Sequence, residues 1–433
     1  MPAAVTSGRK GRYAVESTWG TPPGGTYTEF NFLGETLGAN KETLRDESIR
    51  ADGQTPNVIA TYYRGGGGIR QSLRAGDSDG FFRNSLLSVD WTGGGSLATT
   101  GSISLTPTEA TGAQSSPGVP ASFTRGSGSF ITDGFEPGMW VMASGSLPAV
   151  NKAIYKVVHV TALVLYVQGN ANFDDSGGAA TTTITQYSEI ANGIEADSLT
   201  VELEDADDTD EFYRYEGFGF SGFRMQANDK GILEMAFEGI SQIPLLPNTT
   251  DASGNTAAST SDPFVVGNAY MLEGNPQLGN IASSNALWDR QSFKVLGLTM
   301  NVGNGRRDRA AWGTSGPALN HGRGDITATG TVRLYYNNTE NVDDKDLLTK
   351  MLVDTQTGLA FVLSDAASNV MIFDLPRVKF SDGKVNATAK NQDVVLELDF
   401  DAYRNPDDVN PNTATQPNVS GTTIRIARGS LPS

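Results

Sequence analysis

The hydrophobic pattern is that of strands. In Leu233-Glu-Met-Ala-Phe-Glu238 and Leu396-Glu-Leu-Asp-Phe-Asp401, apolar and polar residues alternate almost strictly. Such alternation predicts strands with one face on a core and the other in solvent. Leu199-Thr-Val-Glu-Leu-Glu-Asp205 and Leu359-Ala-Phe-Val-Leu-Ser-Asp365 predict two more. Helical spacing is confined to two short runs, Asp79 to Leu87 and Asp346 to Leu352. The Asp that opens each run is a candidate N-cap.

These segments recur in one order. Phe30-Asn-Phe-Leu-Gly-Glu-Thr-Leu37 matches Phe293-Lys-Val-Leu-Gly-Leu-Thr-Met300, and Gly68-Ile-Arg-Gln-Ser-Leu73 aligns with Gly330-Thr-Val-Arg-Leu-Tyr335. The two helix candidates follow, then the Leu199 and Leu359 strands. Phe218 to Met225 pairs with Phe373 to Phe380, and the alternating strands close each series. Repetition in register predicts a duplicated unit: strand, long loop, strand, short helix, strand, hairpin. The first copy spans 29–92 and 187–246, and the second spans 291–405.

Spacing exposes an insertion. Leu352 lies a few residues before Leu359, whereas about 110 residues separate Leu87 from Leu199. The extra segment, 93–186, opens with a Gly/Ser/Thr/Pro-rich stretch. It then shows short apolar runs such as Ile154-Tyr-Lys-Val-Val-His-Val160, bounded by turn residues. It predicts a small β-barrel on the outside of the first copy, replaceable by a short link. Residues 247–290 have linker composition, with Pro263-Phe-Val-Val266 and Tyr270-Met-Leu272 apolar enough to dock. Residues 1–28 read as an N-terminal arm and 406–433 as a C-terminal tail.

Composition narrows the function. The 433 residues contain no cysteine, which excludes disulfides and thiolate metal sites. No apolar run suits a secretory leader or a membrane span. Lys and Arg total 32 against 49 acidic residues, a net charge of −17. That opposes a surface that grips DNA by neutralising phosphates, and suits solubility or a wall that nucleic acid slides past.

Catalytic chemistry finds little support. His159 and His321 fall in different units, so neither a two-histidine metal site nor a serine triad is expected. Gly65 to Gly68 lacks the Lys-Ser/Thr of a phosphate loop and predicts a bulge or a close approach of backbones. Glu202 to Glu211 holds seven carboxylates in ten positions. It lacks the calcium-loop spacing and reads as a solvated acidic hairpin tip. Arg323-Gly-Asp325 is a chance tripeptide. The reading is therefore of no catalytic residue, no metal and no cofactor. Two segments are candidates for contacts between subunits: the loop with Glu42, Arg45, Asp46, Glu47, Arg50 and Asp52, and the basic cluster Arg306, Arg307 and Arg309.

Glu16-Ser-Thr-Trp-Gly-Thr-Pro22, Gly34 to Thr43 and Arg45-Asp-Glu-Ser-Ile-Arg-Ala-Asp52 resemble the N-terminus of tail tube proteins of long-tailed phages. Ser198 to Glu202, Phe212 to Gly217, Phe373 to Phe380, Asn391-Gln-Asp393 and Thr423-Ile-Arg-Ile426 resemble later segments of that family. The resemblance implies a mainly β fold: two tandem tail-tube-type β-barrel or sandwich domains, each with a short helix, plus the inserted barrel. It implies a virion subunit, assembled in the host cytoplasm, whose rings stack into a hollow conduit for genome ejection. Its partners would be its own copies, tail tip and head-tail connector proteins, and phage DNA passing without specific binding; no membrane insertion is expected. With two tube domains per chain, three chains would close a ring of approximate sixfold symmetry. The alternatives are a tail tip or fibre component, a β-sandwich adhesin, or a carbohydrate-active enzyme.

Overall fold

Two 18-residue strands organise the molecule. The computed structural model describes residues 9–54, 57–92, 101–106, 121–145, 147, 152–168, 179–195, 197–205, 211–228, 230–248, 255–274, 295–313, 320–336, 342–387, 393–404 and 422–432. The first half contains β1 (Arg9–Val15), β2 (Thr28–Phe30), β3 (Gly34–Glu35), β4 (Gly38–Arg45), β5 (Val58–Ser72) and α1 (Asp79–Ser85). The inserted segment supplies β6 (Gly101–Thr106), β7 (Ala121–Arg125), β8 (Trp140–Gly145), β9 (Ile154–Val160), β10 (Val164–Gln168) and β11 (Ala179–Gln186). Then follow β12 (Ser188–Ala191), β13 (Leu199–Asp205), β14 (Glu211–Asn228), β15 (Glu234–Ser241) and β16 (Ile243–Asn248). The remainder holds β17 (Tyr270–Gly274), β18 (Val295–Gly303), β19 (Thr327–Tyr335), α2 (Val342–Leu352), β20 (Thr357–Ser364), β21 (Asn369–Asn386), β22 (Val395–Ala402) and β23 (Arg425–Ser430).

β14 and β21 are the two long strands, and each passes through two sheets. The first part of β14 lies between β13 and β16, and its second part between β15 and β18. Gly217 (φ 60°) and Gly222 (φ 153°) allow the bend. The first part of β21 lies between β20 and β23, and its second part pairs with β22. Pro376 sits at that bend, where a missing N–H is tolerated. One layer is therefore a continuous run of eight strands, β3-β5-β15-β14-β18-β19-β22-β21, from whose edge β4 continues β3 into a hairpin. Behind it lie β2-β1-β13-β14-β16 and β17-β20-β21-β23-β12.

A single apolar core fills the space between these layers. It takes Ile69, Phe81, Phe82, Phe223 and Phe237 from the first half and Met300, Val332, Phe361, Phe373 and Phe400 from the second. Phe82 packs edge-to-face on Phe223, Phe237 and Phe373, so the two halves share their aromatic contacts. The helix α1 begins at Asp79 after an N-cap at Ser78, and α2 begins at Val342. Neither Asp79 nor Asp346 is thus the N-cap; Asp79 instead pairs with Arg428.

The inserted strands close into a six-stranded barrel, β10-β7-β6-β11-β8-β9, around Phe123, Phe130, Tyr155 and Val157. The barrel leaves the first half but packs on the second. Trp140 joins Ala360, Val362, Val370, Ile372 and Ala427 in a separate apolar cluster. This explains why β20 reads Leu-Ala-Phe-Val-Leu: Leu359, Phe361 and Leu363 face the main core, while Ala360 and Val362 face the barrel. Two covered faces require a continuous apolar run. The expectation of a barrel on the first copy, replaceable by a link, gives way to a barrel that covers an apolar face of the second half.

Segments with arm, tail and linker composition also enter the structure. β1 lies between β13 and β2, and β23 lies between β21 and β12. The linker's Phe264 and Met271 are buried in the main core. The acidic run is likewise tied down. Glu202 is fully buried and meets Arg12 (3.4 Å) and Arg214 (2.8 Å), while Asp205 meets Arg9 (2.6 Å). Cations on β1 thus neutralise carboxylates that read as a solvated tip; residues 206–210 lie outside the described residues.

Candidate assembly interface

Glu42, Arg45, Asp46, Glu47, Arg50 and Asp52 lie on a hairpin that leaves the main sheet. All eight residues of β4 are exposed, as are Val58, Ile59 and Tyr63 on the partner strand. The hairpin starts where Gly66 (φ 154°) and Gly67 (φ 144°) cross the backbones of Gly239 and Thr36. A Cβ there would lie 2.6 Å and 2.3 Å from carbonyl oxygens, so only glycine fits. Within the hairpin, Arg50 pairs with Asp52 at 3.2 Å. Hydrogen bonds from Ser48 hold the Asp46 carboxyl below the usual range, and the Gln54 N–H does the same for Asp52. Glu42, Arg45 and Glu47 have no ion-pair partner among the described residues. Leu44 and Ile49 add exposed apolar surface.

The basic cluster divides. Arg306 is buried, and burial lowers its pKa to about 10. Its guanidinium donates to the carbonyls of Asp197 (3.2 Å) and Asn84 (3.3 Å). Asn304 donates to the carbonyls of Ser85 (2.9 Å) and Phe220 (2.8 Å). Residues of the second half therefore close the C-terminus of α1 in the first. Arg306 is interior to the chain, whereas Arg307 and Arg309 remain exposed. Arg64, at the hairpin base, meets Asp308 beside the cluster at 3.3 Å. The β18–β19 connection, which carries Asn304 and Arg306 to Arg309, stands at the place in its half that the hairpin holds in the first. It also exposes Trp312 completely.

The histidines have structural surroundings. His321 is buried edge-on to Trp19, and burial with the neighbouring Arg306 depresses its pKa to about 3, leaving it neutral. His159 lies on β9, where burial also lowers its pKa. The buried Glu16 accepts hydrogen bonds from the N–H of Gly20 and Gly217 and from the hydroxyls of Ser198 and Thr200. The Glu16–Pro22 motif is thus a clasp that fixes the N-terminal turn to the bend of β14. No group of three or more metal-ligating side chains occurs among the described residues.

Sequence reasoning missed the sheet edges. Across the eight strands, β3–β4 pairs only with β5, and the second part of β21 only with β22, among the described residues. Lys379, Asp382 and Lys384 on that part of β21 carry the charge typical of an edge strand, a signal present in the sequence. The sheet face turned from the core is polar and carries both signs. Arg70 meets Glu234 at 3.1 Å and Arg333 meets Glu397 at 3.5 Å, while Arg224 stands opposite Asn301, and Asp399 and Asp401 opposite Thr331 and Thr329.

The described residues thus form a mainly β chain with one polar sheet face, an exposed hairpin and two sheet edges without a further strand among them. The sequence model of a family described as phage tail tube protein matches residues 6–402. The chain belongs to that family, which makes it a structural, non-enzymatic component of the virion tail. A comparison with curated proteins finds no match.

Proposed function

We propose that three chains join through their open sheet edges into a ring, and that rings stack into a hollow tube through which the phage genome is ejected. One observation carries this reading. The second part of β14 would itself be an open edge, but it is closed by β18 over seven antiparallel pairs, Gly222–Gly303 to Asn228–Gly297. The second part of β21 holds the same place in its half and lacks that neighbour among the described residues, while β3–β4 holds the place of β18. The missing neighbour is then the β3–β4 edge of the next chain. Heterologous joints that repeat by a fixed rotation close into rings. On this reading 29–92 with 187–246 and 291–405 act as two tube units, and three chains bring three times eight, or 24, strands into one barrel.

The mixed, internally paired charges on the polar sheet face suit a channel wall that holds DNA neither by a basic stripe nor by base contacts. The hairpin with Arg45 and Arg50, and the exposed Arg307, Arg309 and Trp312, serve contacts between stacked rings. Assembly proceeds in the host cytoplasm, and the tube ends meet tail tip and head-tail connector proteins. Electron microscopy of the purified protein tests the proposal: stacked rings with an open bore are expected, and particles that remain single chains at every concentration and salt would overturn it.

A further inference from the structure

We infer that the exposed C-terminal end of α2 is the docking site for the hairpin base of the neighbouring chain, with Lys41 as the arriving polar group. The inference rests on the ring reading and adds the residues of its joint.

The two helices end identically. Leu87 (φ 53°) and Asp354 (φ 55°) both take the left-handed conformation. Leu87 N–H donates to Asn84 and Ser88 N–H to Arg83; Asp354 N–H donates to Met351 and Thr355 N–H to Lys350. Both ends are the same glycine-free Schellman turn. Ser85 therefore corresponds to Leu352, and Leu86 to Val353. Their surroundings differ completely. Ser85 and Leu86 are fully buried, covered by Asn304, Arg306 and the N–H of Gly193. Leu352 is 73% exposed and Val353 is 64% exposed.

Within the chain, the cover arrives from the residues that follow β18 at the β14–β18 joint. At the joint between chains, the equivalent cover lies on β4, just beyond β3. Matching Phe30–Leu37 to Phe293–Met300 places the counterparts of Asn304 and Arg306 at Lys41 and Thr43. Strand register instead matches Ile69, opposite Phe237, to Gly330, opposite Phe400; these face Glu35 and Met300 and place the counterparts at Ala39 and Lys41. Both matches fall within residues 39–43, which are exposed, and Lys41, common to both, offers donors to helix carbonyls. A cation suits a helix C-terminus. The two aliphatic side chains left in water on α2 are those such a contact would cover.

Because the chain has no cysteine, a disulfide reports the contact directly. Ala39→Cys, Lys41→Cys and Thr43→Cys, each combined with Leu352→Cys or Val353→Cys, are assembled, oxidised and run on a non-reducing gel. A bridge requires Cα atoms within about 7 Å, and the panel spans the register difference. Covalent species of two and three chains, with none larger, are expected from at least one pair. Three-chain rings without a crosslink in any pair overturn the docking and leave the ring reading standing. Rings that never form, or that hold six chains, refute both. As a second readout, Leu352→Asp with Val353→Asp lowers the ring population at least about tenfold while the single chain melts unchanged. Unchanged ring formation would also overturn the docking.

Discussion

Lys156 and Asp374 join the inserted barrel to the main sheet through a buried ion pair, and breaking it should loosen that joint specifically. Their Nζ and Oδ2 atoms lie 2.6 Å apart, with side chains 1% and 0% exposed. The Trp140 indole donates to the same oxygen at 3.0 Å. Lys156→Met leaves Asp374 buried with the indole as its remaining described donor. Removing one partner of a buried pair costs about 3–5 kcal/mol, because the other charge stays desolvated. Lys156→Met with Asp374→Leu removes both charges and should cost far less, since an apolar pair of similar volume is often neutral. Hydrogen exchange followed by mass spectrometry reads the effect locally. Peptides from β8, β9 and the first part of β21 should exchange about 100-fold faster in the single variant and recover in the double. A single variant costing under about 1 kcal/mol, as an exposed pair does, would refute the reasoning. So would a double variant as weak as the single.

Three further outcomes follow from the same structure. Burial raises the Glu189 carboxyl to about 7, so its contribution to stability is present below about pH 4.5 and is lost as pH rises through 7. Glu189→Gln should remove that dependence and stabilise the protein at pH 8 by roughly 3 kcal/mol, checked by denaturant titrations from pH 4.5 to 8. Replacing 93–186 by a short link uncovers Val362, Val370 and Ile372, each worth about 1.5–3 kcal/mol of burial. Aggregation on purification is expected, relieved by polar substitutions there, and a soluble, equally stable deletion would contradict it. Reversing Arg45 and Arg50 to Glu should shorten tubes in micrographs while the melting temperature holds, because both side chains are exposed.

The alternating strands were legible because one face of each meets water, as in β15 and β22. The docking of the barrel was legible in principle: even positions of β13 are Thr200 and Glu202, whereas those of β20 are Ala360 and Val362. Both strands bury those positions, but only the second does so against apolar neighbours. Other features depend on partners distant in the chain. Arg9 and Arg12 look like an arm until Asp205 and Glu202, almost 200 residues later, lie beside them. Arg306 looks like surface charge because its partners are backbone carbonyls, which have no signature in side-chain sequence. The repeat itself carries a shift: register sets Phe223 opposite Phe237 and Phe380 opposite Phe400, so Phe223, not Met225, is the counterpart of Phe380.

The proposed ring stands or falls on the number of chains it contains. Native mass spectrometry of isolated rings, or a cryo-EM cross-section of the tube, counts them directly. Edge pairing between β21 and the next chain's β3–β4 predicts three chains and 24 strands around the bore. Six chains in a ring, with the outer side of β21 still open, would contradict it.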